Sequence, residues 1–343
     1  MGSKFAKLLD DIEDTSKTSH KDSRVLLIDG MNLFLRNFAA LNLINSDGVH
    51  IGGLGGTLVS LRTLINAMNP TSVYVIFDGV GSTSNRRNLF ADYKKDRNIN
   101  RITKSHLFET VGDEFDSKAD QISRLIHYLK CLPVKVISMD GAEADDVIAY
   151  MSSKFEEDSK IFIVSMDGDF LQLVNERITV YNPIKKDFIT PKEFNTKFGF
   201  DPENFIIYKS LIGDNSDKIK GITDVGPKSL LSYFPEIKTQ KLELEDIFRL
   251  SEERYKKSKI YTRVLTDQRL LETNYKLMDL KNPLLGDEDK IVLDEIISEP
   301  TNPLNILGFN TLYNQDGLVN VIRNKEMYLH DTFRVLNSFT SAI

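Results

Sequence analysis

An α/β fold built on a mostly parallel central sheet flanked by helices is predicted by three observations. Short apolar runs recur at Arg24–Ile28, Val73–Phe77, Val134–Ile137 and Ile161–Val164. Longer stretches of helical periodicity separate them, and three of the runs end in acids: Asp29, Asp78 and the pair Asp167/Asp169. Runs without alternation mark strands covered on both faces, and in open sheets of this kind ligands bind beyond the carboxyl ends of the strands. One acid after a strand is usually a turn residue or a helix cap. Three at corresponding places point to a site.

The 343 residues suffice for one large or two ordinary domains. No apolar run approaches the roughly 20 residues of a membrane span, so no membrane partner is expected. Residues 1–23 are polar and mixed in charge, without the apolar centre of a signal peptide, and read as a flexible tail on a cytoplasmic protein. The single cysteine, Cys131, excludes an intrachain disulfide and reads as a buried structural thiol rather than a nucleophile. A net charge of −6 argues against a nucleic-acid partner only until it is divided. The nine carboxylates singled out below exceed that total, so the remainder of the chain is positive, and Arg86–Lys104 sets seven basic residues against two acidic ones.

In chain order, Gly48–Gly56 holds five glycines. It could approach a phosphate, but the Gly-Lys-Ser/Thr ending of a P-loop is absent, and a flexible loop before a helix over Thr57–Met68 is preferred. Beyond Asp78 the basic stretch interleaves Leu89, Phe90 and Tyr93. A solvated surface segment is its ordinary reading. Its place beside a carboxylate strand end favours phosphate contact, with Tyr93 as a stacking face. Phe115, Ala119, Ile122, Ile126 and Leu129 lie at helical spacing and predict a helix packed through that face.

Glu143-Ala-Asp-Asp146 opens a helix with Val147, Met151 and Phe155 on its apolar face. The helix dipole explains one or two acids there, but not three followed by Asp167-Gly-Asp169. At an effective dielectric of about 20, two carboxylates about 4 Å apart repel by about 4 kcal/mol, so the cluster needs protons or cations. With no histidine or cysteine among the acids, hard magnesium or manganese suits it better than zinc. Thr190-Pro-Lys-Glu193 has the form of a capping box with proline at the first helical position. The helical region it opens reaches Ile212. Gly213–Ser229 then carries Asp214 and Asp217, a glycine-punctuated turn, and Pro227 opening a helix with Lys228 in its first turn. This describes a helical hairpin able to take up a backbone phosphate; a plain loop between helices is the alternative. From Phe234 the chain reads as largely helical, including the amphipathic segment Leu318–Phe339.

Together, Leu-Ile-Asp29-Gly, Phe-Asp78-Gly, Glu143-Ala-Asp-Asp146, Met-Asp167-Gly-Asp169 and Gly-Asp214-Asn-Ser-Asp217-x-Ile-x-Gly resemble the 5′ nuclease family. That family comprises flap endonucleases, the 5′-to-3′ exonuclease domain of bacterial DNA polymerase I and the stand-alone phage enzymes also called RNase H. The resemblance runs from about Val25 to Ser229. The length, without a polymerase domain, is most similar to the phage enzymes, which implies the host cytoplasm.

What the resemblance implies is a PIN-like α/β fold with a helical arch, a helix-three-turn-helix and a C-terminal helical lobe. Its boundaries are a tail at 1–23, a core at 24–183 with a basic arch at about 80–112, a helical region at 184–235 with the hairpin at 205–235, and a lobe at 236–343. It implies two magnesium ions, with manganese as substitute, at Asp29, Asp78, Glu143, Asp145, Asp146, Asp167, Asp169, Asp214 and Asp217, the last two acting partly through water. Arg86 and Lys94 would hold the scissile phosphate. Arg36, Arg87, Tyr93, Lys95, Gly221, Gly226 and Lys228 would contact nucleic acid, and turn carbonyls of the hairpin would hold potassium. The implied activity is that of a monomeric, structure-specific 5′ nuclease that leaves a 5′-phosphate and a 3′-hydroxyl. It would remove RNA primers and 5′ flaps in DNA replication from flap DNA or RNA–DNA duplexes, beside a single-stranded-DNA-binding protein or a clamp. Two departures stand out: Asp224 replaces the middle glycine of Gly-x-x-Gly-x-Gly, and Ser229 replaces a base found in some members. The competing readings are a DNA-junction-binding protein with a degenerate site and a single-strand endoribonuclease of related PIN-like fold. The first should have lost acids, and the second needs neither Asp214 nor the hairpin.

Overall fold

The computed structural model describes residues 23–94, 103 and 107–340. All but the last residue of the expected tail at 1–23, and Lys95 in the basic stretch, lie outside the described residues. A six-stranded sheet has the order β3-β2-β1-β4-β5-β6. Its strands are β1 (Arg24–Asp29), β2 (Ser72–Asp78), β3 (Lys135–Met139), β4 (Lys160–Val164), β5 (Ile178–Asn182) and β6 (Asp187–Ile189). The first five are parallel and β6 pairs antiparallel with β5. The four apolar runs are β1 to β4, with β3 at one edge of the sheet; β5 and β6 add two strands that the runs did not show.

Alternate residues of each strand feed two cores, as the period of a pleated strand requires. Val25, Leu27, Tyr74, Ile76, Ile161 and Ile163 point to one face, and Leu26, Ile28, Val73, Val75, Phe77 and Val164 to the other. On the second face lie α1 (Gly30–Ala40), α2 (Gly52–Met68) and α4 (Val111–Leu129). The first face carries α5 (Ala144–Lys154), α6 (Pro191–Phe198) and α7 (Phe205–Ile212). The short α3 (Ser84–Leu89) follows β2.

Two expectations fail for packing reasons. The glycine-rich segment is not a flexible loop: α2 begins at Gly52, and its glycines let it press against α1. A Cβ at Gly52 would overlap the Leu41 carbonyl, one at Gly53 the Phe34 ring, and one at Gly56 the Leu41 and Asn37 side chains. Helix α4 forms, and Ile122, Ile126 and Leu129 pack on the core as expected, but its first half is turned: Phe115 is 62% exposed and Ala119 is exposed, while Glu114 and Gln121 are buried, with Leu125 and Tyr128 beyond them. Gln121 explains the phase, because its carbonyl oxygen accepts the Gly53 and Leu54 N–H groups and its amide donates to the His50 carbonyl. Polar residues take the inward positions of α4 because the start of α2 offers backbone groups there.

The last hundred residues do not form one lobe. Helices α9 (Leu244–Arg254), α10 (Lys259–Thr266), α11 (Gln268–Met278) and α12 (Asp287–Ser298) pack on the face carrying α5 and α7. Helices α13 (Ile306–Gln315) and α14 (Lys325–Asn337) cross to the opposite face. There Tyr328 Oη donates to the Leu58 carbonyl at 3.0 Å and Arg124 pairs with Asp316 at 2.7 Å. The capping box at Thr190/Glu193 and Pro191 at the helix start are as expected, and Cys131 is a buried thiol that burial pushes up.

Candidate metal centre

The strand order reverses direction between β1 and β4, the crevice where open α/β sheets bind ligands. Asp29 ends β1, and Asp167 follows β4 on the other side of that crevice. Each acid is held by local backbone geometry. Asp29 caps α1 by accepting the Asn32 N–H at 2.9 Å, and its second oxygen accepts the Ser165 hydroxyl at 3.0 Å. Asp78 accepts the Ala144 N–H at 2.8 Å, fixing the start of α5 beside β2. Asp167 accepts the Asp169 N–H at 2.9 Å and opens the 3₁₀ turn Gly168–Leu173.

Crowding perturbs these groups as the sequence predicts. Burial, then repulsion from Asp78 and Asp167, pushes Asp29 up to about 7 despite its two hydrogen bonds. Burial, Asp167 and Asp29 push Asp145 well above the carboxylate range, with Lys94 opposing. Burial and Asp167 push Asp169 up to about 6 against the pull of Lys209. Asp169, Asp214 and Asp217 bring one oxygen each within 4.8 Å of one another.

Glu143 is 1% exposed. One of its oxygens receives Arg86 Nη1 at 3.0 Å, Tyr93 Oη at 3.1 Å and Lys94 Nζ at 3.0 Å; the other, Oε1, is buried without a hydrogen-bond partner among the described residues. An all-oxygen set in which burial and neighbouring carboxylates raise Asp29, Asp145 and Asp169, together with an orphaned buried carboxylate oxygen, fits a hard divalent cation.

Three expected roles conflict with the geometry. Asp146 faces away from the cluster: its two oxygens receive Arg86 Nη1 at 2.5 Å and Nη2 at 3.0 Å, and the Leu284 N–H at 3.0 Å. Those bonds engage both of its oxygens. Arg86 is 3% exposed and its Nε–H donates to the Leu277 carbonyl at 2.9 Å, so the buried guanidinium braces Asp146 and Glu143 rather than reaching out to a phosphate. Tyr93, also 3% exposed, joins the core beneath Glu143 and has no free stacking face. Lys94 does reach the site: burial alone would lower its pKa, but Glu143, Asp145 and Asp217 outweigh it and hold the ammonium charged. Its backbone adopts φ of 49°, in the left-handed region. Arg87 is exposed, with Nε donating to the Tyr93 carbonyl at 3.3 Å, and Arg36 lies half-buried on α1.

The hairpin joins α7, the two-residue strands Gly213–Asp214 and Ile219–Lys220, and α8 (Pro227–Tyr233). Gly213 has φ of 78°, and a Cβ at Gly221 would overlap the Ile212 carbonyl, so both glycines serve the chain's close return past the end of α7. The Gly226 N–H donates to Ser229 Oγ at 2.9 Å and is committed within the hairpin, while Lys228 is exposed on the first turn of α8. Asp224 sits at φ of 67°, a backbone shape glycine adopts freely. It pairs with Arg263, whose guanidinium also donates to the Thr223 carbonyl at 3.0 Å, on the turn where potassium was expected.

Sequence reasoning missed Lys209. Its ammonium lies 2.7 Å from Asp169 and also contacts Asp214, bridging two of the three clustered acids. Lys209 and Ser216 hold Asp214 below the usual carboxylate range against the effect of burial. The available signal was a charged residue on the otherwise apolar α7, five positions before Asp214.

With this geometry in place, comparison with known proteins is direct. The family model described as 5′-3′ exonuclease, N-terminal resolvase-like domain, matches residues 24–199. A 5′-3′ exonuclease of Aquifex aeolicus (strain VF5) is 32% identical over 295 residues, 79% of this chain and 94% of that protein. DNA polymerase I of Bacillus subtilis (strain 168) is 30% identical over 239 residues, 68% of this chain but 26% of the polymerase. The solved structure of the bacteriophage T5 flap endonuclease with DNA and metal ions superposes with a TM-score of 0.60 at 16% identity, covering 88% of this chain and 100% of that one. At that identity the likeness establishes the fold.

Proposed function

Because the chain belongs to the 5′-3′ exonuclease family, we propose that it is a metal-dependent, structure-specific 5′ nuclease that removes RNA primers and 5′ flaps during DNA replication. The observation that carries this reading is the convergence of acids from β1, β2, α5, the turn after β4 and the hairpin, with the Lys94 and Lys209 ammonium groups among them. Asp29, Asp78, Glu143, Asp145 and Asp167 would form one cation position, and Asp169, Asp214 and Asp217 a second.

Magnesium ions bound there, with manganese as substitute, would supply an activated water and positive charge at the scissile phosphate. Lys94 contributes a fixed positive charge beside that phosphate, worth most as charge develops in the transition state. Arg86 and Tyr93 hold Glu143 in place from beneath, a positioning role. Lys209 compensates Asp169 and Asp214, the charge-balancing role that a cation held by Asp169, Asp214 and Asp217 would share. The exposed Lys228 is left to grip duplex phosphates.

The test is cleavage of a 5′-labelled flap duplex and of an RNA–DNA hybrid, each with magnesium and with EDTA. Magnesium-dependent cutting near the junction, abolished by Asp145→Asn with duplex binding retained, is expected. Cutting in EDTA, or an Asp145→Asn enzyme of full activity, would overturn the assignment.

A further inference from the structure

A second site lies at the far end of the elements that build the metal centre. Helix α5 carries Asp145 in its first turn, and its last turns, from Ala149 to Lys154, form one wall of a cavity of about 630 Å³. The segment from Gln172 to Ile178, ahead of β5, and the loop Leu280–Pro283 complete the walls. The acids sit beyond the carboxyl ends of the strands, whereas this cavity opens by the amino end of β5. It therefore belongs to no part of the candidate metal centre.

Four cations from separate segments line it, Lys154, Arg177, Lys281 and Lys290, against one carboxylate, Glu203. Arg177 is the most constrained of them. One terminal nitrogen donates to the Phe155 carbonyl at 3.0 Å, while its Nε is buried with no hydrogen-bond partner among the described residues. A buried guanidinium N–H without an acceptor is costly, and an anion beside the guanidinium would offset the charge left uncompensated there. Lys154 lies over the Tyr150 ring at 4.8 Å, and the exposed pairs of Lys154 with Asp294 at 3.9 Å and of Lys290 with Asp287 at 3.5 Å hold weakly in water. Desolvation, with Lys241, pushes the Lys281 ammonium down against the opposing pull of Glu203, Asp279 and Glu243. Behind the cations, Val174, Leu280 and Pro283 give an apolar floor, and the Asn175 and Asn282 amides supply donors and acceptors.

The geometry points to a binding site for a phosphomonoester of nucleotide size, its phosphate on Arg177 and Lys281 and its organic part on the apolar floor. The volume falls in the range of small-molecule sites and far exceeds what phosphate alone fills. Arginine's fork suits a phosphate's paired oxygens.

The test is calorimetric titration of adenosine 5′-monophosphate, and separately of inorganic phosphate, into the full chain in EDTA. Arg177→Gln and Lys281→Gln should each weaken the nucleotide at least tenfold, Lys94→Ala should leave it within twofold of wild type, and inorganic phosphate should bind more weakly than the nucleotide. If Arg177→Gln perturbs the fold, Lys281→Gln, on an exposed side chain, carries the test. No binding by wild type at millimolar nucleotide would overturn the site, as would unchanged affinity in Lys281→Gln. Loss confined to Lys94→Ala would place the nucleotide in the metal centre instead and equally overturn it.

Discussion

Replacing Arg86 by methionine keeps an apolar stem and removes the guanidinium. In the native fold that group makes contacts of 2.5 and 3.0 Å with Asp146 and 3.0 Å with Glu143, between side chains only 4% and 2% exposed. Removing one partner of a buried ion pair costs about 3–5 kcal/mol, because the remaining charge stays buried without compensation. The Leu277 carbonyl loses its donor at 2.9 Å, adding about 1 kcal/mol. The sum is a large share of the roughly 5–15 kcal/mol that separates a folded domain from its unfolded chain. Urea unfolding in EDTA, followed by circular dichroism, measures it directly. In a double-mutant cycle, Arg86→Met with Asp146→Asn should cost clearly less than the two single changes added together. If Arg86→Met unfolds within about 1 kcal/mol of wild type yet cleaves poorly, the guanidinium faces the substrate and the bracing role is refuted.

Further predictions follow from the same charges. Asp29 and Asp169 have folded pKa values near 7 and 6, above the ordinary 3.8. Their protonation therefore stabilises the fold fully below about pH 4, and that contribution is lost as pH rises through 6 to 7. The melting temperature in EDTA should fall between pH 5 and 7.5 while the stabilisation by magnesium grows; a melting temperature that rises over this window in EDTA would contradict the crowding. Lys209→Met should destabilise the metal-free protein by about 2 kcal/mol at pH 7.5 and by less at pH 5, where Asp169 takes up a proton; equal losses at both would show the ammonium is not its counter-charge. Asp224→Gly, which relieves a left-handed backbone and removes a carboxylate from the hairpin, should tighten duplex binding several-fold at low salt. Unchanged affinity in an anisotropy titration would mean that duplex does not approach this turn.

Much of this site was legible because its elements obey short-range rules. The central strands are apolar throughout, being covered on both faces, and the acids stand at their carboxyl ends where one residue's displacement would show. What escaped reading depends on partners distant in the chain. Gly52–Gly56 resembles a loop by composition, since glycine is a poor helix former, and only the approach of Phe34, Asn37 and Leu41 makes it the start of a helix. The turned first half of α4 follows from Gln121 meeting backbone groups of α2. Arg86 and Tyr93 sit in a basic, aromatic stretch that in isolation suits a nucleic-acid surface. Their inward placement needs Leu277 and Glu143, separations that no local pattern encodes.

The bonds from Leu277 to Arg86 and from Leu284 to Asp146 have a bearing on biosynthesis. A chain emerging amino end first exposes all nine acids before residue 284 leaves the ribosome, but until then Arg86 and Asp146 lack the backbone partners that fix them, and Glu143 lacks a rigid brace. The nascent chain thus cannot order Arg86 and Asp146, and with them the brace on Glu143, until residue 284 has emerged.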